Sequence, residues 1–142
     1  MTATTPSILN EAIGIEGISE PAVLQYFETF NSGDFEATAN LFDASGVLNA
    51  PFADPIVGQS AIATYLKTEA QGMKLHPQQA TSQALEDGET EFQVSGRVQT
   101  PLFSVNVGWR FVVNSQQQIL DVTVKLLASA QELLNLRPLT KL

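Results

Sequence analysis

The first half of the chain carries apolar residues at helical spacing. Proline is tolerated in the first turn of a helix, so Glu20-Pro21 indicates where a first helix begins. Its apolar positions repeat every three or four residues along one stripe, at Val23, Leu24, Phe27 and Phe30. Asp34 is a typical N-cap for a second helix, predicted to run through Phe42. Gly58 leads into a third helix over 59–71, so this half of the chain is predicted to be helical.

The second half of the chain alternates apolar with polar residues, which is typical of strands with one buried face. A short strand over 47–49 comes first and ends before Pro51. Three longer strands follow, with apolar positions at Phe92, Val94, Gly96 and Val98, at Phe103, Val105, Val107, Trp109 and Phe111, and at Val122, Val124 and Leu126. Turn residues over 86–89 and 114–116 indicate that neighbouring strands are antiparallel.

These elements predict an α+β domain in which the helices pack on the concave face of a twisted antiparallel sheet. A cone of this kind admits a ligand at its mouth. The domain is predicted over 19–127, after an N-terminal extension over 1–18. A C-terminal tail helix is predicted over 128–142, where three leucines form a short apolar stripe.

The composition excludes several kinds of site. The chain has 142 residues, 44 % of them hydrophobic, which is enough for one domain with a buried core and excludes intrinsic disorder. Without cysteine and with His76 as its single histidine, it has no thiolate or paired-histidine metal site. The net charge is −8, and no Lys or Arg precedes Lys67, so nucleic acid and anionic membranes are poor partners. With no targeting signal and no membrane-spanning segment, a cytoplasmic location is expected.

Two aromatic residues with polar atoms face the predicted interior. Trp109 shares a strand face with Val107 and Phe111, and Tyr26 lies beside Phe27 on the first helix. A buried phenol or indole needs a hydrogen-bond partner, because leaving it without one costs roughly 1–3 kcal/mol. The partner of each donor is either a nearby backbone carbonyl, with the ring as ordinary core, or the carbonyl oxygen of a bound ligand. From the residues alone, ordinary core is favoured.

Several segments of the chain carry a specific resemblance. They include Gln-Thr-Pro at 99–101, Gly-Trp-Arg-Phe at 108–111 and Leu-Leu-Ala-Ser at 126–129, together with Asn-Ser-Gly-Asp-Phe at 31–35. The chain resembles nuclear transport factor 2-like domains and, within that superfamily, the C-terminal domain of the cyanobacterial orange carotenoid proteins. The likeness runs over 15–137, and no helical carotenoid-binding domain precedes it, so we expect a free-standing homologue of that domain.

The resemblance implies a photoprotective carotenoid carrier rather than an enzyme. It implies a ketocarotenoid of the canthaxanthin or echinenone type as chromophore, quenching of singlet oxygen, and pigment exchange with carotenoid-binding helical domain proteins or apo orange carotenoid protein. We further predict a homodimer in the pigment-bound form, because a cone that holds one ring leaves much of a long polyene exposed to water. Tyr26 and Trp109 match the pair that hydrogen-bonds the keto ring. The positions that match the wall of the carotenoid pocket are Phe30, Met73, Leu75, Val98, Thr100, Pro101, Phe103 and Val124.

The sequence departs from the family at three points. Leu102 stands where the full-length family has an interface aromatic, the connection between 103 and 109 is shorter, and the cysteine that locks some dimers is absent. Glu69 matches a carboxylate that pairs with the missing helical domain, so we interpret it as solvated.

Two other function classes remain open at this point. The enzymatic alternative is an isomerase or lyase of the steroid isomerase type, which would use Tyr26 as an oxyanion donor. Such an enzyme needs a general base. The region where these enzymes carry it is Asn49-Ala50-Pro51 here, which offers no carboxylate. Asp54 lies several residues further along the chain, and Asp121 falls on the outer strand face. The third class is a purely structural association domain, which the sequence alone does not exclude.

Overall fold

The computed structural model describes residues 18–127, which form a six-stranded sheet with three α-helices on one face. The helices are α1 (Pro21–Asn31), α2 (Phe35–Asn40) and α3 (Gln59–Glu69). The strands are β1 (Phe42–Asn49), β2 (Ile56–Val57), β3 (Lys74–Ala84), β4 (Thr90–Gln99), β5 (Ser104–Val113) and β6 (Ile119–Leu127). The predicted tail helix and all of the predicted extension except Ile18 lie outside the described residues, and Ile18 is buried in the core.

The sheet confirms the predicted α+β fold with helices on one face of a twisted sheet. The strand order is β2-β1-β6-β5-β4-β3. All neighbouring strands are antiparallel except β1 and β6, which run parallel, so the sheet is mixed rather than wholly antiparallel. The difference arises because the last strand returns between β5 and β1, in the direction of β1.

The inner face of the sheet forms the core together with α1. Cross-strand neighbours on this face make two apolar rows, Phe92–Phe111–Val122 and Val94–Trp109–Val124. Helix α1 packs on these rows through aromatic edges. The Tyr26 ring centroid lies 5.1 Å from that of Phe111, and the Phe27 centroid lies 4.9 Å from that of Trp109. The predicted alternation of β4, β5 and β6 therefore describes which side chains meet the helices.

The predicted second helix is too long, and the strand after it begins earlier than expected. Helix α2 ends at Asn40, and Phe42 already belongs to β1, where Leu41 O accepts a hydrogen bond from Ile119 N at 2.9 Å. The register of β1 against β6 shifts between Phe42 and Val47. At Gly46 an added Cβ would lie only 2.9 Å from the Ile119 carbonyl oxygen, so this close approach requires glycine. This irregular segment interrupts the alternation of apolar and polar residues, so the sequence pattern does not indicate the first half of β1.

Strand β3 is absent from the sequence-based prediction. It forms one edge of the sheet and pairs only with β4, and most of its residues beyond Pro77 are polar and exposed. An edge strand needs no apolar alternation and tolerates a proline whose missing N–H would face away from the sheet. The register shift between Pro77 and Gln79 follows this proline. Within the described range, no helix has the length and apolar character needed to cross a membrane.

Candidate functional site

A cavity of about 120 Å³ lies between the inner face of the sheet and helices α1 and α3. Its wall is mostly apolar, and it receives residues from α1, α3, the end of β1 and strands β3 to β6. Beside the cavity, two hydrogen bonds hold β3 against the end of α1. Asn31 Nδ2 donates to Leu75 O at 2.8 Å, and Leu75 N donates to Asn31 Oδ1 at 2.7 Å. The cavity wall is thereby fixed where helix and edge strand meet.

Tyr26 joins the core to the cavity. Its ring is 2 % exposed and packs edge-on against Phe27 and Phe111, with centroid distances of 5.5 and 5.1 Å. The residue lines the cavity, and within residues 18–127 its hydroxyl makes no hydrogen bond. Burial of the phenol, and to a lesser extent the nearby Tyr65, raises the pKa of Tyr26 well above the usual tyrosine value. The phenol therefore stays protonated and acts as a neutral donor.

Trp109 supplies a second donor to the same cavity. It lies on the inner face of β5 between Val94 and Val124, is 2 % exposed, and has Phe27 against its ring. Its indole N–H finds no acceptor among the described residues, although every fully shielded side-chain nitrogen or oxygen there has a partner. Two residues with neutral donors, one on α1 and one on β5, thus line one apolar cavity.

Five of the eight predicted wall positions line this cavity. They are Phe30, Met73, Leu75, Val98 and Val124. Phe30, Leu75 and Val98 are buried, while Met73 and Val124 are half-buried. They come from one helix and three strands together with the segment before β3, so the fold brings together residues that are far apart in the sequence.

The other three predicted wall positions lie outside the cavity lining, in the turn between β4 and β5. The Thr100 hydroxyl donates to Phe103 O at 2.9 Å and accepts from Phe103 N at 3.0 Å, so it serves the turn itself. Pro101 is exposed, and Phe103 is 58 % exposed and precedes β5 rather than beginning its buried face. Pro101 Cγ lies 3.3 Å from the position of a Cβ on Gly72, which places this turn beside the cavity residue Met73.

The sequence-based prediction missed the contribution of α3 and of the end of β1. The additional lining residues are Leu48, Ala50, Pro51, Tyr65, Leu66, Glu69 and Ala70. The apolar stripe that contains Tyr65 and Leu66 was the available signal, but such a stripe also fits ordinary core. Tyr65 is half-buried, and burial, then the charge of Glu69, raises its pKa. This second phenol is also a neutral donor.

The cavity offers donors and an apolar wall but little acid–base chemistry. Among the described lining residues Glu69 is the one carboxylate, and it is exposed. Asp54 is exposed and does not line the cavity. Asp121 accepts from Asn49 Nδ2 at 3.3 Å and from Thr123 Oγ1 at 2.9 Å, so it belongs to a separate polar group. No group of three or more His, Cys, Asp or Glu in residues 18–127 could hold a metal ion.

A larger depression of about 630 Å³ covers the outer face of the sheet, away from the helices. Three of its charged and polar side chains bond one another. Arg110 Nε donates to Glu91 Oε2 at 2.8 Å, and Gln93 Nε2 donates to the same oxygen at 2.9 Å. This depression therefore has a water-exposed ion pair on its wall, whereas the smaller cavity is lined mostly by apolar side chains.

Comparison with known proteins gives a family and a set of relatives. The model of the nuclear transport factor 2 (NTF2) domain matches residues 18–127. The orange carotenoid-binding proteins of Limnospira maxima and Synechocystis sp. are 42 % and 41 % identical to the chain over 128 and 127 residues. The matches cover 87 % of this chain and correspond to the C-terminal domain region of those proteins. The chain spans 40 % of the length of these curated relatives.

A solved structure shows the same relation in three dimensions. The orange carotenoid protein of Anabaena (Nostoc) sp., in a structure with canthaxanthin bound, superposes with a TM-score of 0.80 at 41 % identity. The superposition covers 87 % of this chain and 40 % of that one.

Proposed function

The chain belongs to the NTF2 domain family, and we propose that it binds the ring end of a ketocarotenoid. In this proposal, the Tyr26 hydroxyl and the Trp109 indole N–H both donate to the keto oxygen of the ring. The observation that carries the proposal is the pair of donors itself. Each residue is 2 % exposed and lines the same apolar cavity, and no hydrogen bond within residues 18–127 uses the Tyr26 hydroxyl or the Trp109 indole N–H.

A neutral carbonyl fits this pair because its oxygen has two lone pairs and accepts two hydrogen bonds. The raised pKa of Tyr26 keeps its proton in place, so the phenol donates at any physiological pH. The wall supplies apolar contacts for the ring and its methyl groups, with the flexible thioether of Met73 able to adapt to their shape. A ligand oxygen would give both donors an acceptor that the described residues do not supply.

The identity of the relatives supports the same ligand class. They are named orange carotenoid-binding proteins, and one of them binds canthaxanthin, a pigment with a keto group on both end rings. Because the chain corresponds to part of those proteins, its own pigment is a proposal, and canthaxanthin or echinenone is the first choice for testing. The bound pigment is proposed to quench singlet oxygen and to pass to carotenoid-binding helical domain proteins.

A homodimer is proposed for the pigment-bound form. A cavity of about 120 Å³ holds one end of a long polyene, and the remainder needs cover from water. Exposed apolar side chains adjoin the cavity: Phe52 follows the lining residue Pro51, and Leu102 lies in the turn beside Met73. A second copy placed against these residues would cover the middle of the pigment and bind its other ring. Light scattering on the pigment-bound protein tests this, and a strict monomer would contradict it.

An isomerase or lyase activity is not proposed for this cavity. That chemistry needs a base near the carbon from which it removes a proton. Ala50 and Pro51 line the cavity where the sequence placed the usual base, and Asn49 bonds Asp121 instead. Glu69 remains as an exposed carboxylate on the wall, without the buried setting that usually tunes a catalytic base.

The proposal is tested by a double-mutant cycle on the two donors. Wild type, Tyr26→Phe, Trp109→Phe and the double variant are produced with canthaxanthin and, separately, with β-carotene, which lacks keto groups. Each single change should shift the canthaxanthin band to the blue and weaken binding about fivefold, because one hydrogen bond contributes on the order of 1 kcal/mol. The double change should have a larger effect, and β-carotene should bind more weakly than canthaxanthin to wild type.

Tyr65→Phe is the matched control for this cycle. It removes a phenol from the same cavity wall, but from a half-buried position. We expect a smaller spectral shift than that of Tyr26→Phe. Equal spectra and equal affinities for the four proteins of the cycle would show that Tyr26 and Trp109 serve only as core, and the proposed binding of the keto group would be wrong.

A further inference from the structure

We propose that Glu69 makes the cavity selective for neutral ring carbonyl compounds over carboxylates of the same carbon skeleton. The proposal rests on the proposed function, since it assumes that a ring ligand enters the cavity and meets the two donors. It adds a specificity-determining residue and a class of ligand that the cavity rejects.

The selectivity has to come from outside the donor pair. A Tyr O–H and a Trp N–H donate as readily to a carboxylate as to a ketone, and hydrogen bonds to a charged acceptor are stronger. Tyr26 and Trp109 alone would therefore also hold the carboxylate of a ring acid. The apolar wall does not distinguish the two ligands either, because their rings are identical.

Glu69 is the residue that distinguishes them. It is the last residue of α3 and lines the same cavity as Tyr26 and Trp109. None of the salt bridges within residues 18–127 includes Glu69. Lys67 of the same helix pairs with Glu36, and Arg110 pairs with Glu91 and Asp121. Among the described lining residues there is also no Lys, Arg or His. A ligand carboxylate would thus enter a cavity with one negative charge on its wall and no positive charge.

The expected size of the effect follows from the position of Glu69. Its side chain is exposed, so water screens part of its field, but the ligand end of the interaction lies in an apolar cavity. Under those mixed conditions, two like charges a few ångströms apart weaken binding on the order of tenfold. A neutral aldehyde or ketone has no net charge to repel and should bind equally well with or without Glu69.

The experiment uses the single tryptophan of the chain as its probe. Trp109 is the only Trp in the sequence and lines the cavity, so quenching of its fluorescence reports occupancy directly. The ligands are β-cyclocitral, a ring aldehyde, and β-cyclogeranic acid, the carboxylic acid with the same carbon skeleton, both titrated near pH 7.5. The proteins are wild type, Glu69→Gln and Glu28→Gln. Glu28 is an exposed glutamate on α1 outside the cavity lining, so its variant changes the net charge equally.

We expect wild type to bind the aldehyde more tightly than the acid. Glu69→Gln should strengthen acid binding on the order of tenfold and leave aldehyde binding unchanged, whereas Glu28→Gln should change neither. Raising the ionic strength from about 0.02 M to about 0.5 M should narrow the wild-type preference, because an exposed charge is screened by salt. The same salt change should have little effect on Glu69→Gln.

Three results would overturn the selectivity proposal. If both ligands bind wild type and the ratio of their affinities is the same in Glu69→Gln, then Glu69 does not select ligands, while the ring-binding function stands. If β-cyclocitral fails to quench Trp109 in wild type, the cavity does not take a small ring carbonyl compound and the selectivity proposal is wrong. The proposed function fails as well only if canthaxanthin also does not bind. An equal gain in Glu28→Gln would assign the effect to net charge and also overturn the role of Glu69.

Discussion

The inner face of the sheet is filled with side chains at one end and left open at the other. At the filled end, Phe42, Phe111, Val113 and Ile119 are each at most 2 % exposed and pack against one another and α1. At the open end, the row that contains Trp109 borders a cavity of about 120 Å³. Tyr26 belongs to both ends, because its ring packs on Phe111 and the residue also lines the cavity.

Under the proposed function, this arrangement separates the residues that stabilise the fold from those that bind the ligand. Aromatic area buried at the filled end stabilises the fold, since each such side chain contributes several kcal/mol when fully buried. The open end gives up part of that packing and has a cavity lined by Tyr26 and Trp109. Changes at the filled end should therefore act on the free energy of unfolding, and changes at the open end on ligand binding.

The largest expected effect is at the filled end. Phe111→Ala removes a ring that is 0 % exposed and contacts both Tyr26 and Phe27, so the free energy of unfolding should fall by about 3–5 kcal/mol. Phe52→Ala is the matched control, because Phe52 is 96 % exposed and its loss should change stability by less than about 0.5 kcal/mol. Both values come from urea denaturation followed by circular dichroism. A similar loss for the two variants would remove the distinction between packed and open regions.

An intermediate effect is expected at alkaline pH. Burial raises the pKa of Tyr26, so above pH 10 the unfolded chain releases this proton while the folded chain keeps it. The unfolded state then binds fewer protons than the folded state, and stability falls as pH rises, by up to about 1.4 kcal/mol per pH unit. Tyr65, whose pKa is also raised, acts in the same direction.

Comparison of wild type with Tyr26→Phe isolates this contribution. Urea unfolding at about pH 9, 10 and 11 should show wild type losing stability more steeply than the variant, since lysine titration is common to both. Parallel curves would mean that the Tyr26 hydroxyl reaches water freely in the folded protein.

The sequence predicts the regular strands of the sheet better than its edge strand and the start of β1. The alternation in β4, β5 and β6 identifies the inner face and the position of Trp109, because these are regular strands with one buried side. Strand β3 was missed because an edge strand needs no alternation, and the start of β1 was missed because Gly46 and the register shift interrupt it. Local patterns carry no record of which strands lie at an edge.

The cavity was predicted less completely than the fold for a related reason. An apolar stripe on a helix has the same pattern whether it faces packed side chains or an open space. The stripe that contains Tyr65 and Leu66 on α3 does not by itself show that both residues line the cavity. In the opposite direction, the resemblance predicts Phe103 and Thr100 for the pocket wall, but both lie in the turn between β4 and β5, outside the lining of this cavity. Whether space remains between elements is decided by tertiary packing, which no segment shows by itself.

The smallest expected effect separates a hydroxyl that serves the fold from one that is available to a ligand. Thr38 is 0 % exposed, its Oγ1 lies 2.7 Å from Thr29 Oγ1, and it donates to Asp34 O at 3.2 Å. Thr38→Val removes these bonds and should cost about 1–2 kcal/mol of unfolding free energy. Tyr26→Phe keeps the ring contacts and removes a hydroxyl without a partner in residues 18–127, so stability near pH 7 should change by less than about 0.5 kcal/mol. If both substitutions cost the same, the Tyr26 hydroxyl already has a structural hydrogen bond, and only Trp109 would remain to donate to a ligand.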